Sequence, residues 1–356
     1  MKPLLSGLDT VECAYFLRSG QGSKLDFERL AQVREGMRAS KRREPVVIDI
    51  GGKEFLLANH GTASGYPYLM ENAEASIQFG EFNDPGFFVT YRSQALWHKG
   101  IEQLHQEFCA WASDLGLTAV REEGLSRVDF TIDFLVPEVD FDEDSFVTLA
   151  TKDAQHRRDR RIQTFRFGEG DIVLRVYDKT AEIRESSAKT WFYPLWGGQT
   201  EGVWRIEFQI RKDVLRRFGI RTFEDLFDGY GDLLQYLTES HTTLRIPQSD
   251  SNRSRWPLHP LWKGLQAHVC TLPMRGVVRA FDHETYLSER LLRIAVSVEG
   301  YLKHVAAIEG LRNSFEAPGH DRSIAILGQL LKFVHDPIAW REGVRQRSER
   351  MRLGQW

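Results

Sequence analysis

Leu174-Arg175-Val176-Tyr177-Asp178-Lys179 and Trp204-Arg205-Ile206-Glu207-Phe208-Gln209-Ile210-Arg211 both alternate apolar and polar side chains. This period of two is the signature of a half-buried β-strand. Upstream, Ser126-Arg127-Val128-Asp129-Phe130-Thr131-Ile132-Asp133-Phe134 does the same. Successive side chains on a strand point to opposite faces. One face of these segments is therefore apolar, and the other carries Arg127, Asp129, Asp133, Arg175, Tyr177, Lys179, Arg205, Glu207 and Arg211. A plain solvated face more often mixes Thr, Ser, Lys and Gln. Carboxylates, guanidiniums and one tyrosine on a single surface point to chemistry or binding.

The rest of the chain supplies more strands and the helices to cover them. Gly7–Leu17 reads as a first strand and Leu25–Ser40 as a helix. Val46–Ile50 and Phe55–Ala58 flank Gly51-Gly52, a hairpin signal. Ala75–Phe82 and Phe87–Tyr91 are further strands, and Gln94–Leu115 has the periodicity of an amphipathic helix. A short helix is expected near Phe141–Thr151, then a basic run from His156 to Arg161. Strands over Ile162–Phe167 and Ile172–Tyr177 are joined by Gly168-Glu169-Gly170-Asp171. An aromatic loop, Thr190–Gly202, and a helix over Phe223–Thr238 complete this part. The pattern predicts an α+β fold, a mainly antiparallel sheet with flanking helices. Pro247–Ser254 is polar and reads as a linker. Past it strands cease, and Glu284–Leu311 and Arg322–Val334 are helical, so a first domain over 1–245 and an all-helical domain over 256–356 are expected.

Composition bounds the function classes. A length of 356 residues with 42% hydrophobic content fits two globular domains. No apolar run is long enough to span a bilayer, no secretory leader is indicated, and three scattered cysteines suit reduced thiols in a cytoplasm. A net charge of −3 argues against indiscriminate coating of nucleic acid and leaves room for a local basic groove.

Two readings of the acidic residues stand side by side. Asp129 and Asp133, joined by Glu207 from another strand, can be read as ligands of a hard cation such as Mg²⁺ or Mn²⁺. They can equally be read as partners of Arg127 and Arg205 in cross-strand pairs. Tyr177 is either an ordinary strand aromatic or a nucleophile whose phenolate Arg175 and Lys179 would favour. The aromatic group Trp191, Phe192, Tyr193 and Trp196 is either core packing or a platform for unpaired bases.

In order and rough spacing, Leu8-Asp9, Arg127–Asp133, Arg175-Val176-Tyr177-Asp178-Lys179 and Trp204-Arg205-Ile206-Glu207 resemble the rolling-circle replication initiation factor family. These are relaxase-like nicking initiators of certain plasmids, phages and integrative elements. The resemblance covers about residues 7 to 230. It implies an endonuclease and strand transferase that nicks one DNA strand, links Tyr177 to the 5′-phosphate, and depends on a divalent metal. On this reading Asp129, Asp133, Glu207 and Asp9 are the metal candidates for Mg²⁺ or Mn²⁺, and Arg175, Lys179 and Arg205 hold phosphate. Arg127, Arg157, Arg158, Arg160, Arg161 and Arg211 contact DNA. The expected partners are single-stranded or cruciform origin DNA, a host helicase and a second copy in a homodimer, with no membrane. The alternative is a non-catalytic DNA-binding or interaction protein that keeps the initiator fold.

Overall fold

A computed structural model describes every residue except 21, 42, 159–160, 276–282, 314–315 and 353–356. Two compact units emerge, Met1–Ala280 and Phe281–Trp356. The strands are β1 (Leu5–Tyr15), β2 (Leu17–Ser19), β3 (Val46–Ile50), β4 (Lys53–Leu57), β5 (Tyr68–Glu71), β6 (Ala75–Phe79), β7 (Phe87–Tyr91), β8 (Leu117–Ala119), β9 (Gly124–Leu135), β10 (Phe146–Thr148), β11 (Asp153–Arg158), β12 (Arg161–Phe167), β13 (Ile172–Asp178), β14 (Val203–Arg211) and β15 (Thr242–Leu244). Eleven of them make one antiparallel sheet in the order β11-β12-β13-β14-β9-β1-β7-β6-β5-β4-β3. β2–β8 and β10–β15 form two small ladders beside it.

The three segments of alternating sequence are thus neighbours at the centre of the sheet. On one face Val128, Phe130, Ile132 and Phe134 of β9 pack with Val176 of β13 and with Trp204, Ile206, Phe208 and Ile210 of β14. Helices α1 (Phe27–Ala39), α2 (Ser93–Lys99), α3 (Ile101–Asp114), α4 (Lys179–Glu182), α5 (Phe192–Leu195), α6 (Lys212–Arg217), α7 (Phe223–Tyr236) and α8 (Pro260–Val269) complete this unit. Leu104 and Phe108 of α3, Leu226 and Leu233 of α7, and Leu261 and Trp262 of α8 share that apolar core. The second unit is helical: α9 (His283–Arg312), α10 (His320–Val334) and α11 (Pro337–Arg352).

The structure corrects three expectations. The helix expected over Gln94–Leu115 breaks at Gly100, whose φ of +81° suits a residue without Cβ. The break lets Trp97 leave the face it would share with Leu104 and lie against β1. It packs there because Gly7 has no side chain: a Cβ on Gly7 would sit 2.8 Å from Trp97 Cη2. Phe141–Thr151 holds one 3₁₀ turn, Glu143–Ser145, and then β10, because the Asp142 carboxylate caps the turn and Phe146 enters the core. The described residues of the basic run end β11 and start β12, which adds to the expected strands without displacing one. Finally, the polar stretch near Pro247–Ser254 is no domain boundary. α8 beyond it must bury Leu261, Trp262 and Leu265, and does so in the first unit, with Trp262 Nε1 donating to the Thr238 carbonyl at 2.8 Å.

Candidate active site

Register decides which side chains meet on the second face of the central strands. Tyr177 of β13 lies opposite Arg205 of β14, and Arg205 opposite Asp133 of β9. One row along, Arg166 of β12 faces Arg175, Arg175 faces Glu207, and Glu207 faces Thr131. Further on, Gln209 faces Asp129 and Arg211 faces Arg127. Of the nine polar residues singled out on the three alternating segments, all but Lys179 therefore share one surface. The strand ends at Asp178, whose carboxylate accepts from the Ala181 amide and starts α4. Lys179 is buried in that first turn, 2.7 Å from Glu182 Oε2 and 5.6 Å from the Tyr177 ring centre.

Arg205 is 0% exposed. Its Nε and Nη2 donate to the two oxygens of Asp133 at 2.7 and 2.9 Å, and Nη1 donates to Asp9 Oδ1 at 3.0 Å. Trp196 Nε1 also donates to Asp133, at 2.8 Å, and the Phe192 ring lies 4.5 Å from the guanidinium carbon. The register of β1 against β9 slips at Asp9, a β-bulge. Asp9 Oδ1 also accepts from Ser93 and Trp97, at 2.8 and 2.9 Å. Burial alone would raise the Asp9 pKa, but Arg205, Lys189, the Trp97 bond and Lys179 together hold it at about 2. A guanidinium so enclosed cannot reach a phosphate, which corrects the role expected for Arg205. Phe192 and Trp196 are likewise buried, so these two rings are packing rather than a base platform.

Toward the other end the face is partly open at Arg175. Tyr177 Oη donates to Glu207 Oε2 at 2.9 Å, and Arg175 Nη1 donates to Glu207 Oε1 at 2.6 Å. Arg175 Nη2 donates to Gln209 Oε1 at 3.0 Å. Tyr177 is only 9% exposed. Burial, and then the Glu207 carboxylate, push its pKa well above the ordinary range. The expectation of a resting phenolate is therefore corrected: the phenol keeps its proton and shares it with a carboxylate. Burial, and then the Arg205 charge, lower the Lys179 pKa. Arg127 grips Asp129 through Nε at 2.8 Å and Nη2 at 2.5 Å, and reaches Glu12 at 3.3 Å. Burial pushes the Asp129 carboxyl up to about 6, with Arg127 opposing and Glu207 adding to the rise.

The metal expectation meets a geometric obstacle. Asp129 and Asp133 lie four residues apart on one strand, about 13 Å at ~3.3 Å per residue. Ligands of one cation must come within about 2.0–2.6 Å of it. Asp133, Asp9, Asp129 and Glu207 are each held by an arginine instead, and no group of three His, Cys, Asp or Glu comes together among the described residues. This donor set does not fit Mg²⁺ or Mn²⁺.

Arg211 is exposed on the same face. So is Arg166, which the sequence reading missed, although Thr164-Phe165-Arg166-Phe167 alternates and folds back on β13 through the Gly168–Asp171 turn. The side chains of Arg157, Arg158 and Arg161, and all of Arg160, lie outside the described residues.

No protein-family model matches this chain, and no curated protein matches it in sequence. Among solved structures it is similar to one titled "Structure of Rolling Circle Replication Initiator Protein from Geobacillus stearothermophilus". Identity is 18%, the TM-score is 0.45, and the match covers 76% of this chain and 97% of that one. At that level the likeness carries no inference about activity.

Two outcomes follow from the charges. The folded pKa of Asp9 lies below its ordinary value of 3.8, so its charge stabilises the fold above pH ~4, and this contribution fades as pH falls toward ~2. Asp9→Asn should cost on the order of 2 kcal/mol at pH 7, and the gap to the parent should narrow between about pH 4 and pH 2. Urea unfolding of both proteins across that range checks it, and a gap independent of pH contradicts it. Millimolar Mg²⁺ or Mn²⁺ should leave the Tm of the DNA-free protein unchanged, because a ligand that binds the native state raises Tm. A rise of several degrees would reveal a preformed cation site.

Proposed function

We propose that this chain cleaves and rejoins a DNA strand through Tyr177. The observation that carries the reading is the hydrogen bond from Tyr177 Oη to Glu207, with Arg175 on the other oxygen of the same carboxylate. A tyrosine nucleophile needs a base within hydrogen-bond reach. Glu207 takes the phenol proton as Oη attacks the phosphorus. The new Oη–P bond leaves the 5′-phosphate on the protein, the P–O3′ bond breaks with its electron pair on the 3′ oxygen, that oxygen takes a proton from water, and Glu207 returns its own proton to solvent. Attack by a 3′-hydroxyl on the phosphotyrosine reverses the step and joins strands. Arg175, partly exposed beside the nucleophile, opposes the charge that grows on the phosphoryl oxygens. Lys179, 5.6 Å from the ring centre, adds a positive charge beside it. Arg166, Arg211 and Arg127 track the backbone phosphates on either side. Starting rolling-circle replication of a mobile element is the setting that the family resemblance suggests for such chemistry.

One observation favours a second reading. Tyr177 is only 9% exposed, and in this state the cover over its ring keeps a phosphodiester from Oη. Catalysis requires that cover to move. If it stays, the chain is a DNA-binding protein that keeps the fold without nicking.

The test is formation of a denaturant-resistant adduct with a random single-stranded oligonucleotide library. The parent should form it, and Tyr177→Phe should form none. Glu207→Gln, which keeps a hydrogen-bond acceptor and loses the base, should slow it by roughly 10²–10⁴-fold. Adduct formation by Tyr177→Phe at the parent rate would place the nucleophile elsewhere. No adduct from the parent, with binding retained, would establish the second reading.

A further inference from the structure

On the apolar side of the sheet, away from Tyr177, the helices leave a partly enclosed cavity of about 120 Å³. Leu8 of β1, Phe130 and Ile132 of β9, Leu226 and Leu234 of α7, and Leu272 just past α8 form its apolar walls. Tyr230 of α7 also lines it, and its ring stacks on that of Phe130, 5.8 Å away and 9° from parallel. One polar side chain of α8 completes the wall, His268. Its Nε2 is shut off from solvent and has no hydrogen-bond partner among the described residues. A buried polar atom left without a partner is rare and costly.

We propose that this cavity is a binding site for a small aromatic molecule that carries one hydroxyl, a phenol in chemical class. The volume sets the size, since an apolar cavity of roughly 150 Å³ takes one benzene ring. Water is a poor occupant, because each molecule needs two to four polar partners and these walls are mostly hydrocarbon. The stacked Phe130 and Tyr230 rings favour an aromatic guest, which packs offset or edge-on against such a pair. His268 supplies the polar end. Burial lowers its pKa, so at neutral pH the imidazole keeps a lone pair. With a slight turn of the ring about its Cβ–Cγ bond, Nε2 accepts from the guest's hydroxyl and gains the partner it lacks. No charged side chain lines the cavity, so a phenol suits it better than a carboxylate or a phosphate.

Isothermal titration of the full chain with phenol tests this. Phenol should bind one-to-one with a Kd below about 1 mM, and toluene, which has a methyl in place of the hydroxyl, about tenfold more weakly. Leu272→Trp brings a larger ring into the cavity from its wall, and should weaken phenol by about tenfold or more. His268→Phe keeps an aromatic ring and removes the nitrogen, so phenol should fall to the level of toluene while toluene stays unchanged. Absence of saturable phenol binding up to about 10 mM overturns the proposal, since a ligand of this size that fits its site binds more tightly than that. So does a folded Leu272→Trp chain that binds phenol like the parent, or a His268→Phe chain that prefers phenol over toluene as the parent does. Should Leu272→Trp fail to fold, the His268→Phe comparison decides.

Discussion

Arg205 is a guanidinium with no exposure to solvent, in the middle strand of the apparatus, and every one of its nitrogens donates to a carboxylate. Leaving water costs a charge several kcal/mol, and the cost is offset only when geometry and hydrogen bonds are complete. Here Asp133 supplies a two-point fork and the bulged Asp9 supplies the third contact. Trp97 and Trp196 in turn fix those two carboxylates. The bulge, the break at Gly100 and the bare Cα of Gly7 each serve to bring a partner to this one buried cation.

From that point the electrostatics run outward across the sheet. The row through Arg205 is closed. The next row, Arg175–Glu207, is partly open, and Glu207 is shared between a guanidinium and a phenol. At the rim Arg166 and Arg211 face solvent. An interior of matched charges bordered by exposed arginines suits an anionic polymer lying over the face, with the one tyrosine at the boundary between the closed and open parts. The charge of −3 on the whole chain says little about this surface, because register pairs most of its arginines with carboxylates and leaves Arg166 and Arg211 exposed at the rim.

The alternation over 126–134, 174–178 and 204–211 was legible, because a period of two is written in local sequence, and so was the α+β class. What lay beyond reach was distance. Two aspartates four apart on a strand share a face, yet sit too far apart to bind one ion. Which arginine takes which carboxylate depends on strand order and on the slip at Asp9, neither of which has a local signal. Lys179 looked like a continuation of the strand, but the preceding Asp178 is a helix cap. Arg166 shows the reverse case: the turn at Gly168–Asp171 was legible, and pairing the strands across it would have placed Arg166 beside Arg175.

The burden carried by Arg205 can be measured directly by equilibrium unfolding of the parent and of Arg205→Ala at neutral pH. If the buried pair organises the face, removing the cation leaves Asp133 and Asp9 uncompensated, and the unfolding free energy falls by about 3–5 kcal/mol. A loss below about 1 kcal/mol, the size expected of an exposed ion pair, would contradict the account.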